Sequence, residues 1–298
     1  MTIIDILESR RTISYEFYPP RTAEGIPAVF RSIMRLEQYH PDFISVTYGA
    51  GGTTRAFTEE IAIRAQREAD CTIMAHITCA GQSQPEIDGV LGRLQNAGIE
   101  NLIALRGDPP AGEADFVPAK DGFAHATDLM KHITANFNFC LAGACYPEGH
   151  VSSPDLRADT EHTRWKVEAG ARFLVTQLFY DNDDFYAFMD RAHGAGIDVP
   201  IVAGVLPVLS SSQIRRFTQL CGASIPPKLE AILERFADDD DGMREAGIDY
   251  ATRQVQDLWE QGVRGIHFYA LNRSYSISKI LDNLRLPGHE GLVAAERG

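Results

Sequence analysis

The stretch ISYEFYPPR, residues 13–21, is the first example of a pattern that decides the fold. Apolar and polar side chains alternate from Ile13 to Phe17, which predicts a short β-strand, and the Pro-Pro pair that follows ends it. The carboxylate of Glu16 lies near the end of this strand. Burying a charge is costly unless the charge is paired or has a chemical task, so Glu16 is the first candidate functional residue.

Seven further short apolar runs that predict strands follow along the chain, and stretches with helical spacing of apolar residues separate them. Four such helices are predicted at 26–39, 85–98, 183–196 and 246–262. Eight strands that alternate with helices within 298 residues are typical of an α/β fold of the (β/α)8 TIM-barrel type. An open, doubly wound sheet is the alternative, but it usually carries a GxGxxG motif after its first strand, and none is found there. The predicted strands cover 13–18, 43–48, 72–78, 101–106, 139–146, 172–180, 200–206 and 265–271.

Composition excludes several classes of protein. No Pro/Ser-rich or low-complexity tract divides the chain, so residues 1–298 are predicted to form a single domain. The net charge of −13 argues against general nucleic-acid binding, which needs a basic surface. No apolar run reaches the roughly 20 residues of a membrane span, and the N-terminus lacks the order of a secretory signal. The five cysteines form no CxxC pair, which favours reduced thiols in a cytoplasmic protein over a metal site.

Polar residues concentrate where the predicted strands end, and in a TIM barrel the active site lies at these carboxyl ends. Each residue has a structural alternative: His76 taken alone is more often a core histidine, and Arg106 with Asp108 could form a salt bridge across a turn. The concentration, rather than any single residue, indicates a site. The residues are Glu16, Thr47, Tyr48, His76, Thr78, Arg106, Gly107, Asp108, Tyr146, Glu148, His150, Gln177, Asn272 and Arg273.

The motifs that carry these residues resemble, in content and order, those of the methylenetetrahydrofolate reductase family in its bacterial form, which has a catalytic domain only. They are YEFYPPR, SVTYGAGGT, HITC, ALRGDPP, ACYPEGH, VTQLFYD, AGVLPV and HFYALNR, and the resemblance covers about 10–285. It implies a (β/α)8 catalytic domain that holds FAD noncovalently. It also implies reduction of 5,10-methylenetetrahydrofolate to 5-methyltetrahydrofolate with NADH or NADPH, a reaction that feeds methyl groups toward methionine.

The resemblance also implies roles for individual residues. Glu16 would be the general acid, Asp108 a second catalytic carboxylate, and Gln177 would face both folate and nicotinamide. Folate would be met by Glu16, Asp108, Gln177, Gln213, Phe217 and Arg273. The FAD site would include Thr47, Tyr48, Ala50, His76, Arg106, Gly107, Asp108, Tyr146, His150, Asp159 and Lys166. Four further positions lie along the expected FAD contacts: His125, Ala126, His162 and Trp165. His125, His162 and Trp165 differ from the residues that are common in bacterial relatives, and Ala126 directly follows one of these differences.

The chemistry explains why an acid is needed. The substrate's methylene group bridges N5 and N10 in a closed ring, and protonation at N10 opens it to an N5 iminium that accepts hydride. Partial burial at the barrel mouth is predicted to raise the pKa of Glu16, so that it stays protonated near neutral pH. Asp108 would stabilise the cationic iminium. One flavin face that serves both substrates in turn predicts ping-pong kinetics.

Two alternatives remain open at this stage. One is a flavin-free folate reductase on the same barrel, which passes hydride directly from nicotinamide. The other is a folate-binding protein without turnover, against which Glu16 and Gln177 argue. The family suggests a homo-oligomer, while the sequence leaves open the choice between NADH and NADPH and the physiological direction of the reaction.

Overall fold

The computed structural model describes residues 1–48, 55–109, 116–284 and residue 286. Its eight strands are parallel and pair in chain order, and the last pairs with the first, so the sheet closes into a barrel. The predicted (β/α)8 TIM barrel is therefore confirmed. Ala50, predicted to contact FAD, lies outside the described residues. The strands are β1 (Thr12–Phe17), β2 (Phe43–Val46), β3 (Thr72–Thr78), β4 (Asn101–Leu105), β5 (Cys140–Cys145), β6 (Ala171–Thr176), β7 (Ile201–Val205) and β8 (Gly265–Tyr269).

Eleven α-helices are present in the described ranges, where strict alternation with eight strands needs only eight. One additional helix precedes β1, and three helices instead of one connect β7 to β8. The helices are α1 (Ile3–Ser9), α2 (Ile26–Glu37), α3 (Arg55–Glu68), α4 (Gln84–Asn96), α5 (Ala126–Asn136), α6 (Leu156–Glu168), α7 (Asn182–Gly194), α8 (Ser211–Cys221), α9 (Pro227–Arg235), α10 (Asp240–Glu260) and α11 (Ser274–Asn283).

The four helices predicted from apolar spacing are confirmed as α2, α4, α7 and α10. The prediction for α10 began at residue 246, but the helix starts at Asp240. Asp239 explains the earlier start, because its carboxylate accepts the N–H of Gly242 at 2.9 Å and caps the helix. The acidic residues in the first turn also interact favourably with the positive end of the helix dipole.

Two apolar layers hold the barrel together. In the outer layer, the outward faces of the strands and the helices share one apolar cluster, which includes Tyr15 and Phe17 of β1 and Val29 and Ile33 of α2. This layer contains most of the buried apolar side chains, which is the expected arrangement when helices cover a parallel sheet.

The inner layer fills the lower part of the barrel, and the sequence pattern of the strands gave no sign of what closes it. Ile3 and Leu7 of α1 pack against Phe43, Met74 and Phe173 inside the barrel. The N–H of Ile3 also donates to the buried Asn101 side chain at 2.7 Å. Helix α1 therefore closes the amino-terminal end of the barrel, which leaves the opposite end as the open one.

Among the described residues, no helix combines the length and the apolar character that crossing a membrane requires.

Candidate active site

The polar residues of the barrel interior lie beyond the apolar base, toward the carboxyl ends of the strands. Along β1, the odd-numbered residues from 13 to 17 pack against the helices, so alternation turns Ser14 and Glu16 toward the barrel axis. The strand register places Ser45 of β2 beside Glu16 and His267 of β8 beside Ser14. Strands distant in the sequence therefore build one polar pocket.

Glu16 is the member of this pocket that reaches the barrel mouth. Its Oε2 lies 3.4 Å from Nε2 of His76 on β3 and 3.7 Å from Nε2 of His267. The Glu16 side chain is 20% exposed, whereas His76 is 7% and His267 is 0% exposed. We call Ser14, Glu16, Ser45, His76 and His267 the Glu16 pocket.

The expectation that the pKa of Glu16 is raised is wrong for this structure. Burial acts in that direction, but the His267 side chain, together with the charge interactions of His76 and His267, outweighs burial and leaves the pKa of Glu16 below its ordinary value. Both histidines come from other strands, so the pattern of β1 alone could not reveal them. The surroundings provided by the protein therefore favour the carboxylate over the acid.

His76 behaves differently from an ordinary surface histidine. Burial lowers its pKa to about 4, although the nearby Glu16 carboxylate opposes the shift. The ring is therefore neutral near neutral pH. Its Nε2 is buried and has no hydrogen-bond partner among the residues that the structure describes. A buried ring nitrogen without a partner is available to a ligand at the barrel mouth.

The turn after β4 carries the predicted Arg106, Gly107 and Asp108. Gly107 has φ of +83°, and a Cβ there would lie 2.8 Å from the Cβ of Ala80, so only glycine fits. The Arg106 guanidinium lies 5.4 Å from the centre of the Phe116 ring, and Asp108 is exposed. A cation and an exposed carboxylate thus stand side by side at the mouth, on backbone that can approach a ligand closely.

Residues that follow β5 join this turn. The buried Asp159 of α6 accepts the backbone N–H of His150 at 3.0 Å and a neighbouring serine hydroxyl at 2.8 Å. The His150 ring packs edge-on against Tyr146, with centroids 4.7 Å apart. The pKa of His150 is lowered by burial and then by the positive charges of Arg106 and Lys166. These residues are therefore close enough to interact electrostatically.

Lys166 of α6 points toward β5. Its Nζ donates to the carbonyl oxygen of Ala144 at 2.7 Å and lies 5.3 Å from the centre of the Tyr146 ring. Burial lowers the pKa of Lys166, while Cys145 and Asp159 oppose the shift. An ammonium has three N–H donors, so two remain for another partner. We call Arg106, Tyr146, His150, Asp159 and Lys166 the β4–α6 rim.

Helix α6 also carries His162 and Trp165, whose ring centroids are 5.0 Å apart. Trp165 is 45% exposed, and its indole N–H donates to Glu161 at 3.1 Å. The exposure of Trp165 argues against packing of its ring in the core. An exposed indole held in place by a hydrogen bond offers a flat surface for another ring.

His125 and Ala126 stand at the start of α5. His125 is the residue before the helix, and its backbone N–H donates to the Asp128 carboxylate at 3.2 Å. Its carbonyl oxygen accepts the thiol of Cys79 at 3.5 Å. The cap fixes the backbone here, while the His125 side chain itself is exposed.

Thr47 and Gln177 lie directly after β2 and β6. The N–H of Thr47 donates to the carbonyl of Phe17 at 2.8 Å, which continues the strand pairing to the barrel mouth, and Tyr48 follows it, half-buried. The Gln177 side-chain oxygen accepts the N–H of Leu178 at 2.8 Å. This bond orients the Gln177 amide at the end of β6.

Gln213 and Phe217 are one turn apart on α8. The N–H of Gln213 donates to the Ser210 hydroxyl that caps the helix, at 3.2 Å. Phe217 is half-buried and packs against an apolar cluster that includes Leu178 and Leu206, which follow β6 and β7. The predicted substrate residues of α8 therefore lie beside the carboxyl ends of those two strands.

Arg273 is exposed, and it directly precedes α11. The two residues immediately before Arg273, which are Leu271 and Asn272, have positive φ angles of 47° and 56°. The Asn272 side chain accepts the Tyr18 N–H at 3.1 Å and donates to the Tyr18 carbonyl at 2.8 Å. These bonds tie the turn after β8 to the turn after β1 and so position Arg273 at the mouth.

His267, Ser14, Ser45 and Tyr269 were not predicted, because the prediction was limited to polar residues taken from the carboxyl ends of the strands. A signal was available: polar residues two positions apart, Ser14 with Glu16 on β1 and His267 with Tyr269 on β8, share the face that points into the barrel.

The residues at this end of the barrel fit an anionic flavin nucleotide. Gly107 provides close backbone approach, and Arg106 and Lys166 provide cations that suit phosphate oxygens. The unpartnered Nε2 of His76 lies deeper in the mouth. The donor set therefore matches the cofactor that the sequence motifs imply.

Comparison with known proteins identifies relatives. The family model of methylenetetrahydrofolate reductase matches residues 2–285. Methylenetetrahydrofolate reductase (NADH) 1 of Arabidopsis thaliana is 37% identical over 96% of this chain and 51% of its own length. The 5,10-methylenetetrahydrofolate reductase of Escherichia coli K12 is 34% identical over 92% of both chains. The chain thus spans about half the length of the first eukaryotic relatives that it matches.

A similar solved structure comes from Clostridium thermocellum, a protein described as binding two copies of 5-methyl-5,6,7,8-tetrahydrofolic acid. Its TM-score is 0.59 with 17% sequence identity, over 93% of this chain and 95% of that one. At this identity the likeness concerns the fold alone.

Proposed function

This chain belongs to the methylenetetrahydrofolate reductase family, and from that premise we propose that it reduces 5,10-methylenetetrahydrofolate to 5-methyltetrahydrofolate. The electrons would come from NADH or NADPH, and the two half-reactions would follow each other in a ping-pong sequence. We further propose that residues 1–298 form one catalytic domain, active in the cytoplasm as a homo-oligomer in one-carbon metabolism.

The observation that carries this proposal is the position of Glu16. The Glu16 carboxylate stands at the open end of the barrel, in contact with two histidines and beside the charged β4–α6 rim. Acid catalysis at a substrate nitrogen needs a carboxyl group that reaches the mouth while its other contacts hold it in place. Glu16 meets both requirements.

FAD, when bound, would accept hydride from the nicotinamide nucleotide and deliver it to the folate. Arg106 and Lys166 would hold its phosphates, and Trp165 offers a surface for its adenine. The other FAD-binding residues that we propose are Thr47, Tyr48, Ala50, His76, Gly107, Asp108, His125, Ala126, Tyr146, His150, Asp159 and His162.

On the folate, Glu16 would donate a proton to N10, which breaks the N10–methylene bond and leaves an N5 iminium. The exposed Asp108 carboxylate would accept N–H donors of the pterin and stabilise the positive charge. Gln177, whose amide is already oriented by Leu178, would contact the ring system. Gln213, Phe217 and Arg273 would complete the folate site, with Arg273 directed to the glutamate tail.

A spectrum of the purified protein and an anaerobic titration test the proposal. We expect flavin absorbance that bleaches with NADH or NADPH and returns when methylenetetrahydrofolate is added, with methyltetrahydrofolate as the product. Folate-dependent nicotinamide oxidation in a colourless protein would favour the flavin-free reductase. Folate binding without any turnover would contradict the enzymatic proposal altogether.

A further inference from the structure

Strands β6 and β7 stop pairing just before Gln177. Val175 of β6 and Val202 of β7 are the last residues that the two strands pair. On the other side of β6, the pairing with β5 includes Thr176, and the N–H of Gln177 donates to the carbonyl oxygen of Cys145 at 2.7 Å. The end of β6 is therefore held by β5, while the hydrogen-bonded ladder toward β7 is interrupted.

A side chain of β8 occupies the interruption. Upstream, the N–H of Leu174 donates to the carbonyl oxygen of Pro200 at 2.9 Å. Because the hydrogen bonds of a parallel pair repeat every two residues, regular pairing would bring the N–H of Gly204 to the carbonyl oxygen of Thr176. This N–H donates instead to the Thr176 hydroxyl at 2.9 Å. The carbonyl oxygen of Thr176 accepts from the hydroxyl of Tyr269, so a phenol replaces the neighbouring strand as its partner.

Gly204 of β7 is the residue that leaves room for the Tyr269 side chain on its way from β8 to β6. A Cβ at position 204 would lie 2.5 Å from the Thr176 carbonyl oxygen, 2.6 Å from the Tyr269 Oη and 2.8 Å from its Cε2. These distances are shorter than packed atoms allow, so any larger residue would displace the phenol. The Tyr269 ring also packs against the apolar cluster that includes Leu178, which holds it in this place.

The phenol of Tyr269 is suited to donate this hydrogen bond. Burial, followed by the nearby charge of Glu16, raises its pKa well above the ordinary value, so the hydroxyl keeps its hydrogen. Thr176 is 1% exposed, and a buried backbone carbonyl needs a hydrogen-bond partner. The Tyr269 hydroxyl therefore satisfies a carbonyl that solvent does not reach.

The interruption determines how the Gln177 side chain is oriented. Regular pairing would direct the N–H of Leu178 to the carbonyl oxygen of Gly204. With the strands apart, this N–H donates to the Oε1 atom of Gln177 at 2.8 Å instead. Because the amide oxygen turns back to the main chain, the NH2 group of Gln177, with its two hydrogen-bond donors, is turned away from it.

We propose that Tyr269 is a positioning residue for Gln177. Its hydroxyl, placed over Gly204, keeps the ends of β6 and β7 apart and thereby orients the Gln177 amide at the barrel mouth. This inference rests on the proposed function, in which Gln177 contacts folate and nicotinamide in turn. Both half-reactions consequently depend on Tyr269, and they depend on it through Gln177.

The first test uses the protein without any substrate and follows the backbone N–H of Leu178. Gln is followed by Leu at 177–178 and 219–220 and nowhere else in the chain. Glutamine labelled with 13C at the carbonyl, combined with leucine labelled with 15N, therefore gives two amide signals in an NMR spectrum that selects this pair. The signal that disappears in Gln177→Ala belongs to Leu178, and the other one is an internal control.

In Tyr269→Phe the ring still keeps the strands apart, but the Thr176 carbonyl loses its donor and the end of β6 loosens. We expect hydrogen exchange at Leu178 to become about fivefold faster or more, with Leu220 unaltered. Gly204→Ala displaces the phenol instead of removing its hydroxyl, and it should also accelerate exchange at Leu178. Unaltered exchange at Leu178 in both variants would overturn the proposal, whatever the activity of the protein is.

A double-mutant cycle separates positioning from general stability. Each half-reaction is measured in the wild type, Tyr269→Phe, Gln177→Ala and the double variant. Tyr269→Phe should slow both half-reactions about as much as Gln177→Ala, roughly fivefold, and the double variant should be no slower than Gln177→Ala alone. Tyr186, whose hydroxyl donates to Asp257 at 2.6 Å between α7 and α10, supplies the matched control, and Tyr186→Phe should leave both half-reactions unchanged.

Two kinetic results would contradict the proposal. One is a Tyr269→Phe defect of the same size with and without Gln177, because Tyr269 would then act independently of the amide, as a purely structural residue does. The other is wild-type rates in Tyr269→Phe. Absence of activity in the wild type would refute the proposed function, while the exchange measurement would still decide whether Tyr269 holds the end of β6.

Discussion

The Glu16 pocket and the β4–α6 rim lie at the same end of the barrel but are built in opposite ways. The pocket is buried and is assembled from β1, β2, β3 and β8, with a single carboxylate between two histidines. The rim is more exposed and comes from consecutive segments, β4 to α6, with the cations Arg106 and Lys166 close to the Asp159 carboxylate. The environment of the Glu16 carboxylate therefore depends on residues of distant strands. The charged side chains of the rim come from segments that are neighbours in the sequence, and they are placed where a ligand can contact them.

Among these variants, Glu16→Gln should show the largest difference between its effects on the two half-reactions. The substitution keeps the shape and removes the proton, so reduction of methylenetetrahydrofolate should fall about a hundredfold or more, while flavin reduction by nicotinamide persists. Stopped-flow measurement of each half-reaction checks this. Equal losses in both would show that the pocket and the rim are not functionally distinct.

The stability of the protein should also depend on pH through the buried His76 of the pocket. The pKa of His76 is about 4 in the native protein instead of the ordinary 6.5. Between these two values the unfolded chain binds a proton at His76 and the native protein does not. The contribution of the neutral His76 ring to the free energy of unfolding is complete above the ordinary pKa of histidine. It is lost as the pH falls toward the pKa of His76 in the native protein. Near pH 5 the loss is about 2 kcal/mol, from the linkage relation.

Urea unfolding of the wild type and of His76→Asn, at neutral pH and near pH 5, measures how much of the free energy of unfolding is lost through His76 on acidification. The variant should lose less stability on acidification than the wild type. His193, which is 85% exposed, serves as the control, and His193→Asn should keep the wild-type dependence. Parallel curves for wild type and His76→Asn would contradict the neutral buried ring.

Lys166→Met tests the rim. One charge-assisted hydrogen bond to a phosphate contributes roughly 1.5–3 kcal/mol, and one Lys166 donor is already engaged by Ala144. We therefore expect FAD to bind about tenfold more weakly. Activity should return when FAD is added in excess, as flavin fluorescence and assays would show.

The control for this variant is Lys131→Met, at an exposed position of α5. Coincident FAD-binding curves for Lys166→Met and Lys131→Met would remove Lys166 from the cofactor site. A defect in Lys166→Met that excess FAD does not correct would assign Lys166 to the packing of α6 against β5 instead.

Gln177→Ala should have the smallest effect and should affect both half-reactions together. Loss of one neutral hydrogen bond contributes about 1 kcal/mol, or roughly fivefold in rate. Rapid kinetics on each half-reaction gives the comparison. A defect confined to the nicotinamide step would contradict a shared position for the two substrates and, with it, the proposed ping-pong sequence.

Much of the fold could be predicted from the sequence because it depends on local patterns. Short apolar runs such as 13–18 predicted eight strands, and 3.6-residue spacing predicted helices such as α2. The helix α1 was missed, because its role depends on Phe43, Met74 and Phe173, which face it only once the barrel has closed.

The candidate site was predicted as a location but not as an electrostatic environment. The rule that strand ends form the site brought Glu16, His76 and Arg106 to one end of the barrel, because closure of a parallel sheet places all carboxyl ends together. Side chains within strands, such as His267, were missed, because their position beside residues of β1 depends on the register between strands.

The sequence by itself determined a (β/α)8 barrel with a carboxylate at its mouth, since strand alternation and strand order are properties of the chain. Only the tertiary structure decided the state of that carboxylate. The burial of Glu16, which raises its pKa, could be predicted from the sequence. The approach of His267 and His76, which reverses the shift, could not. Electrostatic interactions depend on distances of a few ångströms, and these residues lie on strands far apart in the sequence.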